Sequence, residues 1–160
     1  MPMRRGREAF TLIEIAVAIS IMMLVMMLAV PSMQGVMADR RLRRSLDDLN
    51  KFVRLAQDRA VAERRTYLIS WQDDHLILRP EAVTEDEETE PTATLQLQKG
   101  DAFVLKLTAA LTEDPPADWA FWPTGTCEPA TVAFKGPDGS WSATYSPLTA
   151  RGELAHYAAR

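Results

Sequence analysis

A chain of 160 residues, 47% hydrophobic and 25% charged, has material for one modest folded unit with an appendage, not for two independent cores. Its formal net charge of -4 argues against a general nucleic-acid binder, which needs a basic surface to neutralise phosphates. The single cysteine, Cys127, excludes an internal disulfide, and with Thr126 and Glu128 beside it the residue reads as a partly buried small apolar side chain rather than a reactive thiol.

The first element in chain order is an apolar run. From Phe10 to Val30 there are twenty-one residues, of which only Thr11, Glu14 and Ser20 are polar. As a helix rising about 1.5 Å per residue this run reaches about 30 Å, the thickness of a bilayer's hydrocarbon core. A secretory signal peptide has a shorter apolar stretch, about 7–15 residues, and ends in a small-residue cleavage site, whereas Pro31 follows this one. Arg4, Arg5 and Arg7 precede the run and favour a cytoplasmic N-terminus, which sends the rest of the chain across the membrane. Arg40, Arg41, Arg43 and Arg44 oppose that bias from beyond Pro31, with less weight because they sit on a continuing helix.

Glu14 is the anomaly in the run. An acid near a bilayer centre costs about 2.5–3.5 kcal/mol on insertion scales and usually has a partner. Two readings stand: it is shallow enough to snorkel, or it pairs with a positive charge at its own depth. The intact chain offers none beyond Arg7. Cutting between Ala9 and Phe10 would create one, a free α-amino group near Glu14 in the same chain or opposite it from a neighbour.

The stretch Arg7-Glu-Ala-Phe-Thr-Leu-Ile-Glu14, its basic leader, the long apolar helix and Pro31 twenty-one residues after Phe10 resemble the class III signal of type IV pilins and type II secretion pseudopilins. The resemblance implies a leader 1–9 removed by prepilin peptidase, N-methylation of Phe10, a filament-core and transmembrane helix over 10–31 kinked at Pro31, and Glu14 as the assembly residue. One departure is Ala9, since the family normally has Gly before the scissile bond.

Over 32–65 the apolar spacing turns amphipathic. Leu42, Leu46, Leu49, Val53, Ala56 and Ala60 recur at four, three, four, three, four and draw one helical stripe for a head to pack on. The Arg40 to Arg44 cluster reads as a solvated or headgroup-facing surface, and Asp47, Asp48, Arg43, Arg44, Lys51 and Arg54 are spaced for weak opposite-charge pairs. Leu55 to Ile69 is similar, more weakly, to the helix end and first strand of GspH/FimT-type pseudopilins.

From residue 66 the period becomes that of strands. Thr66–Trp71 and His75–Arg79 read as a hairpin, Leu95 and Leu97 begin another strand, and Gly100-Asp101 can turn into Phe103–Leu107. Thr131–Lys135 and Ser140–Tyr145 flank the turn Gly136-Pro-Asp-Gly139, and Leu154–Tyr157 adds a last strand. Trp119-Ala-Phe-Trp-Pro123 reads as core and edge packing. The expected fold is α+β: a long N-terminal α-helix packed on a small, mostly antiparallel β head of about seven strands, the type IV pilin-like fold, with the head over 66–160.

Chemistry is sparse. His75 and His156 belong to no HExxH, GxSxG or CxxC pattern, no phosphate-binding glycine loop is present, and the expectation is a protein that is not an enzyme and takes no cofactor. The acidic run Glu81–Pro91 lacks EF-hand spacing, so no metal is assigned to it. The combined reading is a minor pseudopilin of a type II secretion pseudopilus, single-pass in a bacterial inner membrane with a periplasmic head. Its implied partners are other pseudopilins through their N-terminal helices, prepilin peptidase, the inner-membrane assembly platform, membrane lipid and exported proteins. The alternative is a minor type IV pilin serving pilus assembly or DNA uptake. Residues 66–160 hold six Lys/Arg against fifteen Asp/Glu, which disfavours nucleic acid as a partner.

Overall fold

The structure, a computed structural model, describes residues 11–72, 74–82, 90–107 and 118–159. Ala9, Phe10 and the leader, most of the acidic run and most of the segment before Asp118 lie outside these. One helix, α1 (Leu12–Glu63), runs through Pro31; the side chains of residues 28–34 are not among those described. The chain divides into two compact units between Met37 and Ala38.

The second unit is built on the amphipathic half of α1. The spacing that marks the stripe in the sequence puts Leu42, Leu49, Val53, Ala56 and Ala60 on one face, all 0–1% exposed. Leu46 is only partly buried, and Ala38 and Phe52 join the buried face. Ala56 and Ala60 carry so little side chain that strands can approach the helix closely there.

Among the described residues eight strands follow it: β1 (Tyr67–Trp71), β2 (His75–Pro80), β3 (Ala93–Gln96), β4 (Ala102–Leu107), β5 (Trp119–Phe121), β6 (Ala130–Gly136), β7 (Gly139–Tyr145) and β8 (Gly152–Ala159). They form two four-stranded antiparallel sheets in the orders β3-β2-β1-β5 and β4-β6-β7-β8. In the first sheet, Tyr67 and Ile69 pair across to Phe121 and Trp119 and share one buried face with them. In the second, Phe134 lies opposite both Phe103 and Trp141, with centroids 5.1 and 5.5 Å away. Trp119 meets Tyr145 edge-on at 4.9 Å, so one aromatic core joins the two sheets.

Two expectations need correction. The segments around Leu95–Leu97 and Phe103–Leu107 do not pair as a hairpin; β3 joins β2 and β4 joins β6. The N–H of Leu97 is taken by the carbonyl of Asp74, which keeps this end of β3 with its own sheet, and Asp101 N–H closes a turn on Gln98 before β4 begins. The aromatic segment at Trp119 is itself a strand, three residues long, with Trp119 and Phe121 fully buried as the packing reading requires. The hairpin at Gly136–Gly139 is as the sequence indicates. Gly139 has φ +144, and a Cβ there would strike the Ala158 carbonyl on the neighbouring strand, so only glycine fits.

Polar side chains key α1 to the second sheet and its loops. Tyr157 Oη donates to Asp39 Oδ1 at 2.6 Å, Trp141 Nε1 to Ser45 Oγ at 2.9 Å, Tyr145 Oη to Asn50 Oδ1 at 2.8 Å, and Gln57 Nε2 to the Gly125 carbonyl at 2.6 Å. The Tyr157 hydroxyl, followed by the Arg43 guanidinium at 2.9 Å, holds the Asp39 carboxyl below its ordinary pKa. Arg41 reaches Asp138 in the β6–β7 turn at 3.1 Å. The arginine cluster is thus solvated, as expected, yet two of its members also fasten α1 to β8 and to the β6–β7 turn.

Candidate functional site

The candidate site is the first half of α1. Thr11 stands just before the helix, where its carbonyl accepts the N–H of Glu14 at 3.0 Å and its Oγ1 lies 3.4 Å from the same N–H. Thr11 is therefore the N-cap of the helix, a start signal the sequence carries in its Thr-x-x-Glu spacing, with the return bond from the Glu14 carboxylate not made. Glu14 sits in the first turn, where the helix dipole favours an acid.

Every residue from Thr11 to Met27 is exposed. The exposed side chains include Leu12, Ile13, Ile15, Val17, Ile19, Ile21 and the unbroken block Met22–Met27, each at least 51% accessible and Leu12 at 87%. A helix apolar on all sides is ordinarily a buried one, because water hydrates no face of it favourably. Continuous apolar surface of this extent is unfavourable in water. Among the described residues no helix is long and apolar enough to cross a membrane; Phe10 and the side chains of 28–30, which complete the run in the sequence, are not among them.

The polar groups within the run are accounted for with one exception. Thr11 caps the helix, and the Ser20 hydroxyl donates to the Ala16 carbonyl at 2.8 Å, a bond that lets serine tolerate apolar surroundings. Among the described residues the Glu14 carboxylate has no hydrogen-bond or ion-pair partner. The structure thus presents an apolar cylinder with one unpaired acid near its start. Of the four residues singled out from sequence, Glu14 and Pro31 lie on α1, while Ala9 and Phe10 lie outside the described residues.

Elsewhere the titratable groups are dispersed. His75 Nδ1 lies 2.5 Å from Asp74 Oδ1 at the exposed β1–β2 turn, and His156 is on β8 opposite Ser142 in the other sheet. Ser70, Arg79 and Asp118 form a compact network, with Arg79 bonding both Asp118 at 2.7 Å and Ser70 at 3.1 Å, but no histidine takes part in it. Among the described residues no group of three or more potential metal ligands is assembled.

No protein-family model matches the chain, and no curated protein matches its sequence. Solved structures do. The type IV minor pilin FimU of Pseudomonas aeruginosa superposes with a TM-score of 0.53 at 17% identity, over 72% of this chain and 93% of that one. The minor pseudopilin EpsH from the Type II secretion system of Vibrio cholerae superposes with a TM-score of 0.51 at 11% identity, over 71% of this chain and 94% of that one. The chain has the type IV pilin-like fold that these two proteins share.

Proposed function

We propose that this protein is a minor pseudopilin: a structural subunit of a type II secretion pseudopilus, held in a bacterial inner membrane by its N-terminal helix with its head in the periplasm. The observation that carries the reading is the fully exposed apolar helix with a single unpartnered carboxylate, Glu14, near its start. Prepilin peptidase would cut between Ala9 and Phe10 and methylate the new amino terminus. That terminus, still cationic after methylation, is the charge Glu14 lacks. A subunit entering a filament would bring its amino group to the Glu14 of a neighbour, and in low dielectric the pair would hold the two helices in register. Lipid and neighbouring helices would cover the remaining apolar surface by turns. The subunit would act by docking or pushing exported proteins, with no catalytic step of its own.

The test is Glu14→Gln in a host with an intact secretion apparatus. The neutral amide keeps size and hydrogen bonding but removes the charge, so cross-linking to neighbouring pseudopilins should fall by about tenfold or more, with leader removal unchanged. Undiminished cross-linking would sink the assembly reading. The likeness to FimU keeps a second reading in view, a minor type IV pilin. Its DNA-uptake form is disfavoured by the head's six basic residues against fifteen acids, and a salt-dependent gel shift with duplex DNA at physiological ionic strength separates the two.

A further inference from the structure

The apolar helix leaves the head's own surface unexplained, and one part of that surface is a groove with basic side chains in its lining. Between α1 and the loop joining β7 to β8, residues 146–151, lies an open groove of about 770 Å³ lined by Asn50, Arg54, Gln57, Asp58, Thr149 and Arg151. Arg54 comes from the helix and Arg151 from the loop, so two guanidiniums from separate elements share one cavity. Among the described residues neither has a hydrogen-bond or ion-pair partner. By contrast, Arg41, Arg43, Arg59 and Arg79 each hold a carboxylate.

The walls of the groove are fixed. Tyr145, 1% exposed, donates to Asn50 Oδ1 and thereby leaves the Asn50 amide N–H₂ as a donor, while Gln57 is tied to the Gly125 carbonyl. At Gly152 any Cβ would press on the Tyr145 ring and on Asn50 Oδ1, so the close approach of β8 to the helix requires glycine. Ala150 is held at φ +51, its N–H bonded to the Ser146 carbonyl and its side chain buried. A rigid frame carrying two planar, forked cations suits carboxylate oxygens, which guanidinium groups bind in pairs.

We propose that this groove binds the carboxylates of an acidic peptide segment presented by a partner protein. Its volume falls within the usual range for ligand pockets and admits several residues rather than one small ion. The acid-rich head repels an extended polyanion, whereas a short segment meets chiefly the local field of the two arginines. Leu148, 76% exposed on the same loop though not in the groove's lining, offers apolar surface to a segment that extends past it. Asp58 is the opposing feature, an acid within the groove that reduces its charge from two to one.

The experiment is a fluorescence-anisotropy titration of the full chain in detergent micelles. The probe is a labelled peptide EAVTEDEETEP, the acidic sequence found at 81–91 of this chain, with its Gln/Asn counterpart as the neutral control. The acidic peptide should bind at least about tenfold more tightly than the neutral one. Arg54→Gln combined with Arg151→Gln should remove that advantage, Asp58→Asn should tighten binding, and Arg40→Gln, outside the groove, should change nothing, all with unaltered circular dichroism. Equal binding of the two peptides, full affinity in the double variant, or displacement by equimolar inorganic phosphate would overturn the proposal. The titration requires no filament, so its outcome is independent of the Glu14 experiment.

Discussion

Cys127 shows how a residue's chemistry follows from its surroundings. It is 1% exposed, its thiol lies 3.5 Å from the Ser146 carbonyl, and burial, with the nearby Glu128 carboxylate second, pushes the thiol pKa up to about 11. A rise from 9.0 to about 11 reduces the thiolate present at pH 8 by about a hundredfold, and burial blocks access as well. Native protein at pH 8 should therefore leave Ellman's reagent uncoloured for hours and react fully once unfolded in guanidinium; rapid labelling of folded protein would contradict the buried placement. The role was legible in the sequence because no cation neighbours Cys127. Glu14 was legible for the opposite reason, as the one charge in an apolar run. Arg54 and Arg151 were not legible, since ninety-seven positions separate them and only the packing of the β7–β8 loop on α1 unites them.

Among elements, α1 was the most readable, because a stripe at helical spacing is a local property and burial follows it from Leu42 to Ala60 at every position but Leu46. Its end carries a strain the sequence does not advertise. Arg64 stands just past the last helical residue at φ +53, the left-handed position where helices ordinarily place glycine. Replacing it with glycine should raise thermal stability by about 0.5–1 kcal/mol, since a Cβ no longer opposes that conformation. A lower melting temperature would show that the Arg64 side chain contributes something its exposed position does not suggest. Strands were readable singly and less so in their partnerships. Leu95 and Leu97 alternate as a strand should, yet nothing local states that Leu97 N–H will go to Asp74 and leave β3 and β4 in different sheets. β5 was missed as a strand because three residues ending just before Trp122-Pro123 are too few to show a period.

For the whole molecule, the sequence supplies both the pilin-like resemblance and its one irregularity. Ala9 adds a methyl group where the resembled signal has a hydrogen, at the residue whose carbonyl prepilin peptidase would attack on the function proposed above. Ala9→Gly should quicken leader removal, read by intact-mass spectrometry of pulse-labelled protein in a peptidase-competent host; equal rates would mean that the site accommodates alanine freely. Beyond that bond, what the molecule does depends on how its head is joined to its helix. Asp39, Ser45, Asn50 and Gln57 each mesh with a different partner along the head, at intervals that no single sliding or turning movement of the helix can reproduce. Like keys cut at unequal spacing in a shaft, the four bonds oppose slip of this half of the helix against the strands and loops it touches.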